Sequence, residues 1–231
     1  MPVTPVTDTE RPPRSVGRGL PPVLYRALRR LAHLVNRLYF RVTVEGAEVV
    51  PAEGPVILAP VHRSNIDFLI ASDVSRRKLF YMAKDSLWRS PRFGAFLESV
   101  GAFPVHRQGA DRLALDRAQE VLERGEALIL FPEGTRRSGP VVEELHEGAA
   151  FLAARTGAPI VPIGIGGSDG AMPKGSKFVR PVKITVVVGA PLVPPARSAK
   201  GRVPRHQVHA LTEELRVTLQ GLYDRVRSAP H

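Results

Sequence analysis

The 231-residue sequence predicts an α/β fold in which a largely parallel sheet is flanked by helices. Short apolar runs of strand length alternate with longer segments of helical spacing, which is the order typical of βαβ units. Two of these apolar runs end abruptly in polar loops, as buried strands do. The length is sufficient for one well-buried domain and short for two, and a hydrophobic content of 43% suits a globular protein.

The elements are assigned in chain order. Residues 1–20 are rich in Pro, Thr and Arg and predict a disordered basic tail, residues 21–39 an amphipathic helix, and residues 40–231 a single domain. Strands are predicted at 40–45, 56–59, 79–82, 103–105, 128–131, 160–165 and 184–188. Further helices are predicted at 66–75, 91–100, 112–124, 148–156 and 204–227.

In the predicted helix 21–39, one face is apolar and basic residues occupy much of the rest. The apolar face holds Leu24, Leu28, Leu31, Val35 and Leu38, and the basic residues are Arg26, Arg29, Arg30, His33 and Arg37. Such a helix can lie in the headgroup plane of a membrane that contains anionic lipid. It can equally dock its apolar stripe on the protein's own core, and the sequence leaves both interpretations open.

The charge balance narrows the classes of partner. The net charge is +11, and residues 1–44 hold eight arginines against two acidic residues. This excess favours an anionic partner: a membrane surface, nucleic acid or a phosphorylated substrate. The absence of cysteine excludes disulfides, thiolate metal ligands and a cysteine acyl-enzyme. We expect no secretory signal, and no uninterrupted apolar run approaches the roughly 18–20 residues of a membrane-spanning helix.

The first polar loop follows the predicted strand 56–59 and contains His62 and Asp67. We expect Ser64 or Asn65 to cap a helix that begins near Ile66, with Asp67 in its first turn. A loop folded back on that helix would bring the Asp67 carboxylate to the His62 ring. A carboxylate on one ring nitrogen fixes the tautomer and makes the other nitrogen a better proton acceptor. The alternative is a loop histidine beside an ordinary helix-start aspartate.

The second polar loop follows the predicted strand 128–131. It contains Glu133, Gly134, Thr135 and Arg136. In open α/β sheets, ligands bind at the carboxyl ends of the strands, and Arg side chains match phosphate oxygens in pairs. Glu133 could accept a hydrogen bond from a sugar or glycerol hydroxyl. The alternative is a solvated turn with a Glu–Arg pair.

Four blocks in order resemble the 1-acylglycerol-3-phosphate (lysophosphatidic acid) acyltransferase family of glycerolipid acyltransferases. Residues 62–67 resemble its H-x-x-x-x-D block, 101–107 the second block, 131–136 the third and 160–165 the fourth. The departures are Val61 before the histidine, His106 in the second block and His146 two residues before Gly148. They leave the acceptor more open than the reaction type.

The resemblance implies roles for individual residues. It implies that His62 is the general base and that Asp67 orients it, while Arg107 and Lys84 hold the acceptor phosphate. It assigns the binding of the acceptor to the block formed by Glu133, Gly134, Thr135 and Arg136. The role of the fourth block is less defined. The family fold is an α/β sandwich with mixed strand directions.

The implied reaction transfers a fatty acyl group from acyl-CoA or acyl carrier protein to the sn-2 hydroxyl of 1-acylglycerol-3-phosphate, giving phosphatidic acid. It requires no metal, no cofactor and no covalent intermediate, because the acceptor itself is the nucleophile. The expected partners are the lysophospholipid, the acyl thioester and an anionic membrane surface, with no nucleic acid. The expected location is cytoplasmic, peripherally on the inner face of the cell membrane. Another lysophospholipid or an amino-acid lipid is an alternative acceptor, and a non-enzymatic basic module binding membranes or nucleic acid is a more distant alternative.

One motif points to different chemistry. Residues 166–170 match G-x-S-x-G, the nucleophile elbow of serine hydrolases, with Ser168 in the nucleophile position. That motif requires a helix directly after the serine, and the Met-Pro-Lys-Gly sequence that follows is a poor helix start. We therefore expect no serine nucleophile here.

Overall fold

The computed structural model describes residues 20–106, 111–173, 176, 178–196 and 203–228. Its strands are β1 Thr43–Glu45, β2 Val56–Pro60, β3 Leu79–Lys84, β4 Ala102–Val105, β5 Ala127–Ile129, β6 Ile160–Gly166 and β7 Thr185–Val188. Its α-helices are α1 Pro22–Leu38, α2 Asp67–Ala71, α3 Pro91–Ser99, α4 Arg112–Glu123, α5 Gly148–Thr156, α6 Ser168–Ala171 and α7 Arg205–Ser228. Short 3₁₀ turns lie at Ala47–Val49, Ser72–Val74 and Asp85–Arg89.

The seven strands form one sheet in the order β1-β7-β6-β2-β5-β3-β4. All neighbouring pairs are parallel except β6 and β7, so β1 and β7 run against the other five strands. The predicted mixed and largely parallel sheet is therefore confirmed. Strand β2 lies between β6 and β5, so the loop after β2 opens near the middle of the sheet's carboxyl edge.

The central strands are buried on both faces because helices cover the sheet on each side. All residues of β2, β5 and β6 are buried. A parallel sheet of this kind selects continuous apolar runs instead of alternating ones. These runs, with the apolar faces of the helices, form one core.

Helix α7 crosses strand β6 at very short range, which explains the glycines of the fourth block. A Cβ at Gly164 would lie 2.8 Å from the Leu222 carbonyl oxygen, and one at Gly166 would lie 2.7 Å from that of Val226. Only glycine allows the two backbones to approach this closely. The fourth block therefore contributes packing between the last helix and the sheet.

Two local expectations were wrong. Neither Ser64 nor Asn65 caps helix α2, which begins at Asp67 after Ile66 with no side-chain cap. Asp67 itself accepts the backbone N–H groups of Arg63 and Ser64, so the carboxylate organises the turn before the helix. A one-turn helix, α6, also begins at Ser168, although the sequence after the serine was expected to be a poor helix start. The predicted helix 66–75 ends early and continues as a 3₁₀ turn.

Helix α1 packs on the domain through a polar edge and leaves its apolar face exposed. Arg29 donates to the carbonyl oxygens of Ser75 and Arg77, and the buried Asn36 donates to that of Leu69. On the opposite side the exposed apolar side chains are Val23, Leu24, Leu31, Leu34, Val35 and Leu38. No helix in the described part of the chain is long and apolar enough to cross a membrane.

Candidate active site

The two polar loops predicted to carry the chemistry meet at the carboxyl edge of the sheet. Strands β2 and β5 are parallel neighbours, so the loops that leave them emerge side by side. Two backbone contacts hold the loops together: Arg137 N–H donates to the His62 carbonyl oxygen, and Leu130 N–H donates to that of Leu58. The sheet register therefore brings the first and third sequence blocks into direct contact.

The predicted pair of His62 and Asp67 is formed. The His62 Nδ1 lies 2.9 Å from Asp67 Oδ2, and the same oxygen accepts the N–H groups of Arg63 and Ser64 at 2.6 Å each. The Asp67 side chain has no exposed surface, whereas that of His62 is 11% exposed. Three donors thus fix the carboxylate, and the imidazole is the member of the pair that a substrate can reach.

The hydrogen bond to Asp67 indicates which tautomer the His62 ring adopts. Because an ionised carboxylate only accepts, neutral His62 carries its proton on Nδ1 and presents Nε2 as an acceptor. The Phe131 ring stacks on the imidazole with a centroid separation of 4.1 Å and an interplanar angle of 29°. The ring is therefore held in orientation by Asp67 and Phe131 together.

Glu133 occupies a different environment from the one expected. It is fully buried, its Oε2 accepts the backbone N–H of His62 at 2.7 Å, and both of its oxygens lie 2.7 Å from Arg63 Nη1. A carboxylate with these partners is not exposed to an acceptor hydroxyl. The expected direct contact with glycerol does not fit this geometry. Glu133 instead joins the loop after β5 to the backbone of His62.

Arg63 is a central residue of the site that the sequence arguments missed. Besides Glu133, it donates to the Val141 carbonyl oxygen, and its guanidinium lies 4.5 Å from the centroid of the Tyr223 ring of α7. Burial alone lowers the pKa of Arg63, but the hydrogen bonds and charge of Glu133 outweigh it and raise the pKa above its ordinary value. The available signal was its position in the sequence next to His62. An arginine buried there would have required a buried acidic partner.

The remainder of the third block forms a tight turn toward solvent. Gly134 has a φ of 64°, and a Cβ there would lie 2.5 Å from the His146 ring, so this position requires glycine. Thr135 is exposed and Arg136 is partly exposed at the rim of the site. Arg137 pairs with Glu143 at 2.8 Å, which leaves Arg136 as the arginine of this turn without an ion-pair partner among the described residues.

Of the two other predicted phosphate-binding residues, Lys84 and Arg107, only Lys84 is among the described residues. Lys84 is exposed at the end of β3, two strands from β2, which is about 10 Å across the sheet. Arg107 lies outside the described residues. The residue before it, His106, donates its backbone N–H to Asp111 at 2.7 Å, and Asp111 caps helix α4. The structure brings Lys84 to the same sheet edge as His62 without direct contact.

Ser168 is no candidate nucleophile despite the helix that begins there. The residue is fully buried, and its hydroxyl has no hydrogen-bond partner among the described residues. A serine nucleophile needs an adjacent base and access to substrate. Across the residues that the structure describes, no group of three or more His, Cys, Asp or Glu side chains is arranged to hold a metal ion.

Comparison with known proteins identifies the family. The family model described as Acyltransferase matches residues 41–166, which include both loops of the site. The 1-acyl-sn-glycerol-3-phosphate acyltransferase of Bacillus subtilis is 28% identical over 170 residues, covering 73% of this chain and 82% of that protein. A Chlamydomonas reinhardtii protein of the same name is 30% identical, over 74% of this chain and 55% of its own length.

Among solved structures, the fold matches that of the 1-acyl-sn-glycerophosphate (LPA) acyltransferase PlsC from Thermotoga maritima. The TM-score is 0.71 at 24% identity, covering 90% of this chain and 82% of that one. The chain spans most of the Bacillus relative and about half of the chloroplast relatives from Arabidopsis thaliana and Brassica napus. Because the family model matches more than half of its residues, including the histidine loop and the glutamate loop, this chain belongs to the acyltransferase family and is an acyltransferase.

Proposed function

We propose that this acyltransferase transfers a fatty acyl group from an acyl thioester to the sn-2 hydroxyl of 1-acylglycerol-3-phosphate, giving phosphatidic acid. The observation that carries the proposal is the His62–Asp67 pair at the mouth of a cationic sheet edge. The relatives named above act on 1-acyl-sn-glycerol-3-phosphate, as their names state. The donor is acyl-CoA or acyl carrier protein, used as a co-substrate with no further cofactor.

In the proposed mechanism the acceptor hydroxyl is the nucleophile. His62 Nε2 takes the hydroxyl proton as the oxygen attacks the thioester carbonyl, and Asp67 stabilises the imidazolium that forms. The tetrahedral intermediate collapses with loss of the thiolate, and the protonated ring returns its proton to that sulfur. The acyl group thus moves directly from sulfur to oxygen, and no metal ion or covalent acyl-enzyme is needed.

Cationic side chains around the pair are suited to hold the acceptor phosphate. Arg136 has no carboxylate partner among the described residues and lies on the turn that touches His62 through Arg137. An unpaired guanidinium can bind two phosphate oxygens at once. Lys84 would act from the end of β3, and the family resemblance adds Arg107 to the phosphate-binding residues. Thr135 and Gly134 would shape the turn.

Glu133 is proposed to position the base and not to touch the acceptor. Its carboxylate accepts the His62 backbone N–H and is neutralised by Arg63. A buried ion pair is costly to break, because one charge would remain buried without its partner. The pair therefore holds the two loops in one arrangement.

The proposed location is the inner face of the cell membrane, with the protein bound peripherally through α1. The exposed apolar face of α1 includes Leu31 and Leu38, which are 57% and 68% exposed. Basic side chains flank this face, as in helices that lie at the surface of anionic membranes. Such a position would place the active site where a lysophospholipid can enter without leaving the lipid layer.

An acceptor panel tests the proposed reaction. Purified protein is incubated with a labelled long-chain acyl-CoA and, separately, with lysophosphatidate, three other lysophospholipids and an amino-acid lipid, and products are identified by mass spectrometry. We expect phosphatidic acid to form fastest. A faster reaction with another lysophospholipid would change the acceptor, and no acyl transfer to any of them from either donor would reject the proposal. Repeating the panel with the acyl thioester of acyl carrier protein in place of acyl-CoA assigns the donor.

A further inference from the structure

A second cationic site lies at the edge of the sheet opposite the active site. An open cleft of about 1020 Å³ lies between helix α1, the turn after β1 and the turn before β3. Five arginines and one histidine line it, facing two carboxylates: Arg26, Arg29, Arg30, Arg76, Arg77 and His33, with Asp73 and Glu48. This volume is in the range of pockets that bind small ligands.

The arginines of this cleft are not neutralised by carboxylates. In the described part of the chain none of the five forms an ion pair. Arg29 and Arg77 donate to backbone carbonyl oxygens, which fixes the guanidinium groups without cancelling their charge. Asp73 pairs with His33 at 3.3 Å, and burial raises the pKa of this carboxyl despite the opposing effect of His33 and Arg29.

The exposed members of the cleft are available to a ligand. Arg30 and Arg76 are exposed, and neither has a partner among the contacts of the described residues. Arg77 ties the floor of the cleft to the carbonyl groups of Pro51 and Gly54, just before β2. The rigid floor and the free guanidinium groups above it are the arrangement that binds phosphate oxygens.

The cleft is separate from the catalytic pair. His62 follows the carboxyl end of β2, and the cleft lies before its amino end, so the length of the strand, roughly 17 Å, separates them. One phosphate group cannot occupy both places. The apolar face of α1 adjoins the basic side that lines the cleft, because Arg30 of the cleft and the exposed Leu34 lie one helical turn apart.

We propose that this cleft binds the phosphate group of a second, non-reacting anion, and that the anion is supplied by the headgroup of an anionic phospholipid. Arg30 and Arg76 would contact the phosphate, while Arg29 and Arg77 add fixed positive potential. A membrane-bound α1 would bring such headgroups to the cleft entrance. The alternative source of the same chemistry is a water-soluble phosphate.

The test compares two double variants that remove the same charge. Arg30→Ala/Arg76→Ala changes the cleft, and Arg205→Ala/Arg216→Ala changes two arginines of α7 that do not line it. Wild-type protein and both variants are floated with phosphatidylcholine vesicles that contain or lack phosphatidylglycerol. A calorimetric titration with inorganic phosphate forms the soluble arm. Circular dichroism checks that each variant is folded.

We expect the cleft variant to lose about 30-fold in affinity for phosphatidylglycerol vesicles, from the attraction of two arginines near an anionic surface, while the α7 variant stays near wild type. Phosphate binding that depends on Arg30 and Arg76 without a vesicle effect would assign the site to a soluble anion and overturn the lipid source. Equal losses in both variants, or no loss in either arm, would overturn the site. Neither assay measures acyl transfer, so the proposed reaction stands or falls separately.

Discussion

The two edges of the sheet use arginine in opposite ways. At the carboxyl edge, Arg63 is buried and both oxygens of Glu133 contact it, which neutralises its charge. This ion pair holds the loops after β2 and β5 together. At the amino edge, Arg29 and Arg77 donate to neutral carbonyl groups, and Arg30 and Arg76 remain exposed. The first edge is therefore built for fixed geometry and the second for attracting a mobile anion. Net charge alone does not distinguish them.

The strongest expected effect is the loss of the catalytic imidazole at the carboxyl edge. His62→Ala should lower kcat/KM for acyl transfer to lysophosphatidate by about 100- to 10,000-fold, because a positioned general base is removed. Steady-state kinetics with purified protein measures this. His206→Ala removes an exposed histidine at the start of α7 and should leave the rate unchanged. Similar rates for both variants would show that His62 is not the base.

Stability measurements should separate the two kinds of arginine. Arg63→Ala leaves Glu133 buried without its partner and should lower the free energy of unfolding by about 3–5 kcal/mol. Arg30→Ala, at an exposed position without a partner, should change it by less than about 0.5 kcal/mol. Urea denaturation of both variants gives the comparison. Equal and small changes would contradict the proposed structural role of the Arg63–Glu133 pair.

Membrane binding should depend on the apolar face of α1 as well as on its basic side. Leu31→Glu/Leu38→Glu should weaken binding to neutral vesicles by roughly 100-fold, because two exposed leucines no longer enter the lipid. The matched control Val193→Glu/Val217→Glu changes two valines of similar exposure on other parts of the surface. If the control loses as much binding as the α1 variant, α1 is not the membrane-facing element.

The smallest effect concerns two aspartates whose pKa values shift in opposite directions. At the amino edge, burial raises the pKa of Asp73. At the carboxyl edge, burial would raise that of Asp111, but N–H groups of His106 and Ala114 and the His106 ring outweigh it and lower the pKa. Charged Asp111 therefore stabilises the fold at neutral pH, and this contribution is lost as the pH falls through its folded pKa. For Asp73, whose pKa is raised, the free energy of unfolding instead increases as the pH falls through that pKa.

Unfolding free energies measured from neutral to acidic pH check these signs. The stability difference between wild type and Asp111→Asn should shrink on acidification, since the variant keeps the capping group and lacks only the charge. For Asp73→Asn, the wild type should gain relative to the variant as the pH falls through the raised pKa. Parallel pH dependences for the two variants would contradict the opposite shifts.

Much of the fold could be predicted because its strands are buried on both faces. The continuous apolar runs of β2, β5 and β6 are typical of buried strands. The abrupt polar ends of β2 and β5 indicated the two loops that form the site. The His62–Asp67 contact was predictable as well, since the two residues are close in sequence. In contrast, the turn before α2 was mispredicted because Asp67 supplies the acceptor that a capping serine would have supplied.

Long-range electrostatic partners were harder to predict than elements. The pairing of Arg63 with Glu133 joins residues 70 positions apart and depends on the register of β2 and β5. The sequence placed Glu133 near the acceptor because nothing local indicated that its carboxylate is fully buried. The direction of the apolar face of α1 was equally open, since it depends on polar contacts such as that of Asn36 with Leu69.

The central claim is that His62 and Asp67 act as one unit. A double-mutant cycle tests it most directly, with kcat measured for His62→Ala, Asp67→Asn and the variant carrying both changes. If the carboxylate acts only through the imidazole, the double variant should be no slower than His62→Ala, because the losses of a functional unit are not additive. Losses that multiply in the double variant would show that Asp67 acts independently and would contradict the proposed mechanism.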